Sequence, residues 1–212
     1  MEIPFRRESL ETDRLLALSD GVIAIAITLL VLEITVPEIP PGSPVSILST
    51  LVFDQWHEFF AYVLSFLVIG SYWVLHRRIF LHIEAHDKGI VWLNLLFLLM
   101  VAFVPYGTSL LSTYPTQFGV MFYAGILAIT GLTLTLLWGY ASRRDILEDG
   151  LTSTLVVLEG TRFLASPAVF LFSIVIASFD TNLAVLSWLL LLPINALLQS
   201  RVVESYEEPA PV

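Results

Sequence analysis

All ten lysines and arginines of this chain fall beside or between long apolar runs, and they occupy only every second interval. The runs lie at about 15–36, 51–75, 89–111, 118–140, 164–179 and 183–198, the fifth being short. A helix rises about 1.5 Å per residue, so crossing about 30 Å of hydrocarbon takes roughly 20 residues. With six crossings, Arg6, Arg7, Arg14, Arg77, Arg78, Lys88, Arg143, Arg144, Arg162 and Arg201 share one side, and the three opposite loops carry none. The positive-inside rule then places that side, with both termini, in the cytoplasm. Moving one boundary across a loop breaks the pattern. The expectation is an all-α integral membrane protein with six transmembrane helices per subunit.

The composition excludes several other classes. The chain is 57% hydrophobic and only 14% charged, too apolar for a soluble domain with one core. There is no cysteine, which removes disulfides, thiolate metal sites and cysteine catalysis. A net charge of −9 argues against a nucleic-acid partner, which needs a basic face. Neither Gly-x-Ser-x-Gly nor His-Glu-x-x-His occurs, and paired membrane aspartates are missing, so no enzyme is expected. The first fifteen residues mix Arg6, Arg7 and Arg14 with Glu2, Glu8, Glu11 and Asp13, without a cleavable apolar signal; the first helix is its own insertion signal, addressed to the plasma membrane.

Three regions follow: an interfacial or cytoplasmic arm at 1–13, a six-helix membrane domain at 14–200, and an acidic, proline-containing, disordered tail at 201–212. Thr12 or Asp13 is positioned to cap the first helix, and Pro37, Pro40 and Pro41 stop it at the other end. The second run ends in Trp73-Val74-Leu75-His76-Arg77-Arg78, and 76–88 form a polar connector that Ile79-Phe80-Leu81 can continue as helix. Asn94 lies inside the third run and Pro105 should kink it. Gly131, Thr135 and Gly139 make a stripe small enough for a neighbouring helix to approach.

The stretch from Arg14 to Thr35 holds the chemistry. Ser19 and Asp20 sit more than a turn inside the span, where a carboxylate is costly and marks a functional site by default. Ile25, Leu29 and Leu32 share one helical face, with Thr28 beside them. A helix apolar all round makes such a stripe uninformative alone, and an interfacial salt bridge would account for Arg14 and Asp20. Ser19 and Asp20 are no catalytic dyad, because adjacent helical residues point about 100° apart. His76, His82 and His86, with Glu84 and Asp87, have the residue types of a metal site, but interfacial histidines account for them and no metal is assigned.

The run Arg14-x-x-x-Leu18-Ser19-Asp20-Gly21-Val22-x-Ala24-Ile25-Ala26-Ile27-Thr28-Leu29-Leu30 resembles the signature of the prokaryotic relatives of transmembrane protein 175, the lysosomal potassium channel. That family has an aromatic residue where this chain has Leu18. Trp73, His76, Arg77, Asn94 and Phe103-Val104-Pro105-Tyr106 extend the resemblance over the first half of the chain. It implies a potassium-permeable channel, modestly selective for K+ over Na+, with four subunits around a pore lined by the first helix. Ile25 would form the main hydrophobic constriction, Leu29 and Leu32 would face the axis, and Thr28 would offer a hydroxyl. Arg14, Ser19 and Asp20, bonded to Trp73 and His76, would be the scaffold of the pore helix. K+ is the permeant ion, no cofactor is implied, and the partners are the bilayer and further copies of the chain. The rival reading is a proton-coupled secondary transporter using Asp20 and His76, against which stands the lack of an inverted repeat.

Overall fold

In a computed structural model, residues 4–84, 87–144, 146–148 and 150–207 are described, with side chains described between 13 and 203. The chain is all-α: α1 (Pro4–Leu29), α2 (Leu48–Asp54), α3 (Trp56–Leu81), α4 (Lys88–Thr113), α5 (Gln117–Arg143), α6 (Ser153–Ala177), α7 (Thr181–Ser187) and α8 (Leu191–Glu207). Six stretches are long and apolar enough to cross a membrane: Asp13–Glu33, Trp56–Leu81, Lys88–Thr113, Gln117–Arg143, Ser153–Ala177 and Thr181–Val203. Helices suit such a setting because each satisfies its own backbone polar groups. The one β pairing among the described residues is the Ile83–Leu147 bridge.

Helix α5 is the centre of the bundle, with 61% of its most apolar window buried against 17% for Thr181–Val203. It packs on α4 and α6; α1 lies against α3 and α4, and α8 against α6, so the first and last spans flank opposite sides. The small stripe on α5 works over part of its length. A Cβ on Gly131 would come within 2.8 Å of Pro167 Cδ, and the Thr135 hydroxyl lies 3.0 Å from the Phe163 carbonyl oxygen on α6. Gly139 meets only Arg143 of its own helix.

Buried polar side chains tie the helices together, as expected where lipid offers no competing partner. Thr108 donates to the Val104 carbonyl, so Ser65 must donate to Thr108 Oγ1 (2.7 Å) and the Tyr123 hydroxyl to Ser65 Oγ (2.8 Å). The Tyr72 hydroxyl donates to the Leu127 carbonyl at 2.7 Å, and Trp188 Nε1 to Ser173 Oγ at 2.9 Å. Caps of the expected chemistry start the later helices: Asp87 accepts from Ile90 N, Thr116 from Gly119 N, Thr152 from Leu155 N, and Asp180 from Asn182 N and Leu183 N.

Several boundaries differ from the sequence expectation. Helix α1 begins at Pro4, a residue suited to a first helical position, so positions 12 and 13 lie inside the helix rather than at its start. Between Phe5 and Asp20 there is no glycine or proline to stop it. The second span starts at Trp56, after a break at Gln55, and runs on to Leu81. The largest correction concerns the fifth span, which begins at Ser153 rather than 164 and takes in Glu159 and Arg162. Arg162 therefore stands inside a helix, not in the loop before it. Glu159 is tolerated there because Arg78 of α3 donates to it at 2.6 Å. At the C-terminus the helix continues through Arg201 to Glu207, where disorder was expected. Pro105 stays within the continuous α4.

Candidate functional site

Leu15, Ser19, Ile23, Ala26 and Leu30 of α1 are buried, at the three- and four-residue spacing of one helical face, against α3 and α4. Residues 14, 17, 18, 20, 21, 24, 25, 28 and 29 are exposed. At about 100° per residue they cover about half the circumference of the helix, with Asp20 at one edge and Leu29 at the other. Ile25 is 60% exposed, Leu29 42% and Leu32 72%; Leu18 is 48% exposed. Thr28 is also exposed, its hydroxyl donating to the Ile25 carbonyl at 2.8 Å, which leaves the oxygen lone pairs facing outward.

The helix tightens at its far end. Leu30–Glu33 form a 3-10 turn, in which residues three apart eclipse one another, so Leu32 lies almost directly beyond Leu29. Ile25, Leu29 and Leu32 are then spaced about 6 Å apart along the axis.

Near the other end of the span, a buried relay anchors α1. Ser19 donates its hydroxyl hydrogen to the Leu15 carbonyl at 2.8 Å, so its oxygen is left to accept, and the Asn94 Nδ2 amide donates to it at 3.0 Å. That orientation turns Asn94 Oδ1 toward His76 Nε2, 2.7 Å away. A carbonyl oxygen only accepts, so Nε2 carries the hydrogen and Nδ1, which is buried without a partner among the described residues, holds the lone pair. Ser19, Asn94 and His76 are all fully buried, and the imidazole stacks on Phe97 with ring centroids 5.0 Å apart.

Asp20 stands outside this relay. It is exposed and accepts from Trp73 Nε1 at 2.8 Å, and the Arg77 guanidinium lies 5.9 Å from the Trp73 ring centroid. Asp20 and His76 therefore have separate partners. Arg14 is exposed and has no hydrogen-bond or ion-pair partner among the described residues. Of the five scaffold residues read from the sequence, the structure joins Asp20 to Trp73 directly and Ser19 to His76 through Asn94.

Two groups carry no motif and escaped the sequence reading. Gln55 Nε2 donates to the Thr35 carbonyl at 2.7 Å, and Thr35 N donates to Glu58 Oε2 at 3.4 Å, so the start of α3 grips the far end of the first span. Arg78, Glu159 and Arg162 form a buried charged cluster between α3 and α6, signalled only by Glu159 and Arg162 standing three apart in an apolar run. Of the histidines, His82 Nδ1 lies 2.7 Å from Glu148 Oε1, and His86 is outside the described residues.

The model of a family described as endosomal/lysosomal potassium channel TMEM175 matches residues 14–105. A potassium channel of Streptomyces collinus is 39% identical over 145 residues, 66% of this chain and 68% of that protein. One from Chamaesiphon minutus is 40% identical over 142 residues, 65% of this chain and 70% of that one. The crystal structure of a Chamaesiphon minutus homologue of the lysosomal potassium-selective channel TMEM175 superposes with a TM-score of 0.72 at 31% identity, covering 88% of this chain and 97% of that chain.

Proposed function

Since this chain belongs to the TMEM175 potassium-channel family, we propose that it conducts potassium through a pore lined by α1. Four copies of the chain surround that pore in the cell membrane, with both termini in the cytoplasm. The observation that carries the proposal is the half of α1 left uncovered although the helix is gripped at both ends. That half contains Asp20, about 10 Å inside the span, and Thr28. A carboxylate at that depth is costly against lipid and far less so beside a water-filled vestibule.

In this arrangement Ile25 forms the narrowest ring, with Leu29 and Leu32 forming further rings toward the other mouth. Branched apolar side chains allow a narrow ring to dewet and a slightly wider one to conduct. Thr28 presents its oxygen, not its hydrogen, to a passing cation. Without a cage of carbonyls, discrimination rests on how readily an ion sheds water, which favours K+ over Na+ modestly. The relay through Ser19, Asn94 and His76 and the bond from Trp73 to Asp20 hold the helix at a fixed rotation.

Purified protein in liposomes tests this reading. Ile25→Asn is expected to raise the K+ flux and to reduce the K+/Na+ permeability ratio; an unchanged ratio removes Ile25 from the constriction. In the same preparation, flux that requires a proton gradient and disappears in a folded Asp20→Asn variant favours a proton-coupled transporter instead.

A further inference from the structure

Three ionised side chains meet between α3 and α6 at the cation-bearing end of the bundle, away from α1. Arg78, in the last turn of α3, donates from Nε to Glu159 Oε1 at 2.6 Å, and its Nη2 lies against the same oxygen. Glu159 is fully buried, and Arg162, one turn further along α6, is only 7% exposed. Arg162 lies within electrostatic reach of both Arg78 and Glu159, so two cations share one anion. The deficit shows in the hydrogen bonds: Arg162 Nε and Nη1 and Glu159 Oε2 are enclosed and have no partner among the described residues.

Buried ions persist where they are paired, and buried donors where they are bonded. Among the described residues, no other carboxylate near this end of the bundle bonds to Arg162 Nε or Nη1. Asp20 is held by Trp73, Glu148 by His82, and Asp87 by Tyr140 and the start of α4. A long side chain on a helix leans toward the helix N-terminus, which for Arg162 means toward the Ser153 end and the cation-bearing surface. Arg78, with 27% of its side chain exposed, connects the cluster to that surface.

We propose that Arg162 and Arg78 bind one phosphate oxyanion, with Glu159 Oε2 accepting from a hydroxyl on the same ligand. Arg162 offers donors on two nitrogens, matching the oxygens of a phosphate, and the added negative charge balances the cluster. The free carboxylate oxygen repels a bare polyanion and selects a ligand that also carries a hydroxyl. A glycerol-headed phospholipid and dissolved hydrogen phosphate share this chemistry. Basic pockets between membrane helices at such a depth are suited to lipid headgroups.

The test is thermal unfolding of the purified full chain in non-ionic detergent, followed by tryptophan fluorescence. Soluble short-chain phosphatidylglycerol, short-chain phosphatidylcholine and sodium phosphate are compared at matched ionic strength. Phosphatidylglycerol or phosphate is expected to raise Tm by roughly 2–4 °C, phosphatidylcholine to leave it unchanged, and Arg162→Gln to abolish the rise. A rise with phosphatidylglycerol alone identifies a lipid ligand, and a rise with phosphate a free anion. No rise with either, an equal rise with phosphatidylcholine, or an equal rise in Arg162→Gln overturns the proposal. If Arg162→Gln does not fold, Arg162→Lys decides, since it keeps the charge but has a single nitrogen: a diminished rise supports the site, and an unchanged rise overturns it.

Discussion

Asn94 holds Ser19 with one end of its amide and His76 with the other, and the direction of both bonds follows from the single hydrogen that Ser19 has already given to Leu15. Replacing Asn94 by the similarly sized leucine removes the acceptor of the His76 Nε2 hydrogen in a site closed to water. One buried donor left unpaired costs about 1–3 kcal/mol, so Asn94→Leu is expected to lower the melting temperature by several degrees in fluorescence unfolding. If Asn94→Leu melts with the wild type, the relay does not anchor α1. The same residue shows where sequence reading ends. Asn94 was visible as a polar residue inside an apolar run, but its two partners lie 75 and 18 positions away. No local spacing encodes such a pair, and no signal distinguished Arg14, which has no partner among the described residues, from Asp20, which has one.

At the level of the helix, the legible features were those that repeat. Six apolar runs gave six spans because lipid demands the same composition from each turn, and α4 and α5 begin and end close to where hydropathy changes. The start of α6 was missed for the opposite reason: Glu159 looks like a loop residue until it is seen to pair with Arg78 across 81 positions, whereas α3 does run on through Ile79-Phe80-Leu81 as read from the sequence. Helix starts also depend on single polar groups. Asp87 caps α4 through Ile90 N and accepts from the Tyr140 hydroxyl at 2.6 Å. The Tyr140 hydrogen bond, and after it the bond from Ile90, hold the carboxyl below its ordinary value. A lowered folded-state value means that this contribution is complete above the ordinary carboxylate range, near pH 4, and is lost as pH falls through the lowered value. Protection of the Ile90 amide, measured against its intrinsic exchange rate, should therefore fall below about pH 4, and Asp87→Asn should remove that change in protection. A protection factor that stays constant with pH in the wild type would separate the cap from the charge.

On the scale of the whole molecule, α3 is the rail against which α1 is set. It touches α1 at two heights, through Trp73 on Asp20 and through Gln55 and Glu58 on Thr35. The two helices are antiparallel spans, so 15 steps along one must match 18 along the other. Nine α-helical steps from Asp20 to Leu29 and the tighter turn beyond give about 25 Å, and 18 α-helical steps on α3 give about 27 Å. The agreement makes chain length between the two rungs a property in its own right. A side chain between them can change while both rungs stay closed. One residue inserted between Ala24 and Ile25 would turn everything beyond it by about 100° and advance it by about 1.5 Å, so one rung must open or the apolar rings must face elsewhere. Such an insertion should abolish K+ flux in liposomes even when the inserted residue is another alanine. The segment behaves like a gauge block, permissive in what it is made of and strict in how long it is.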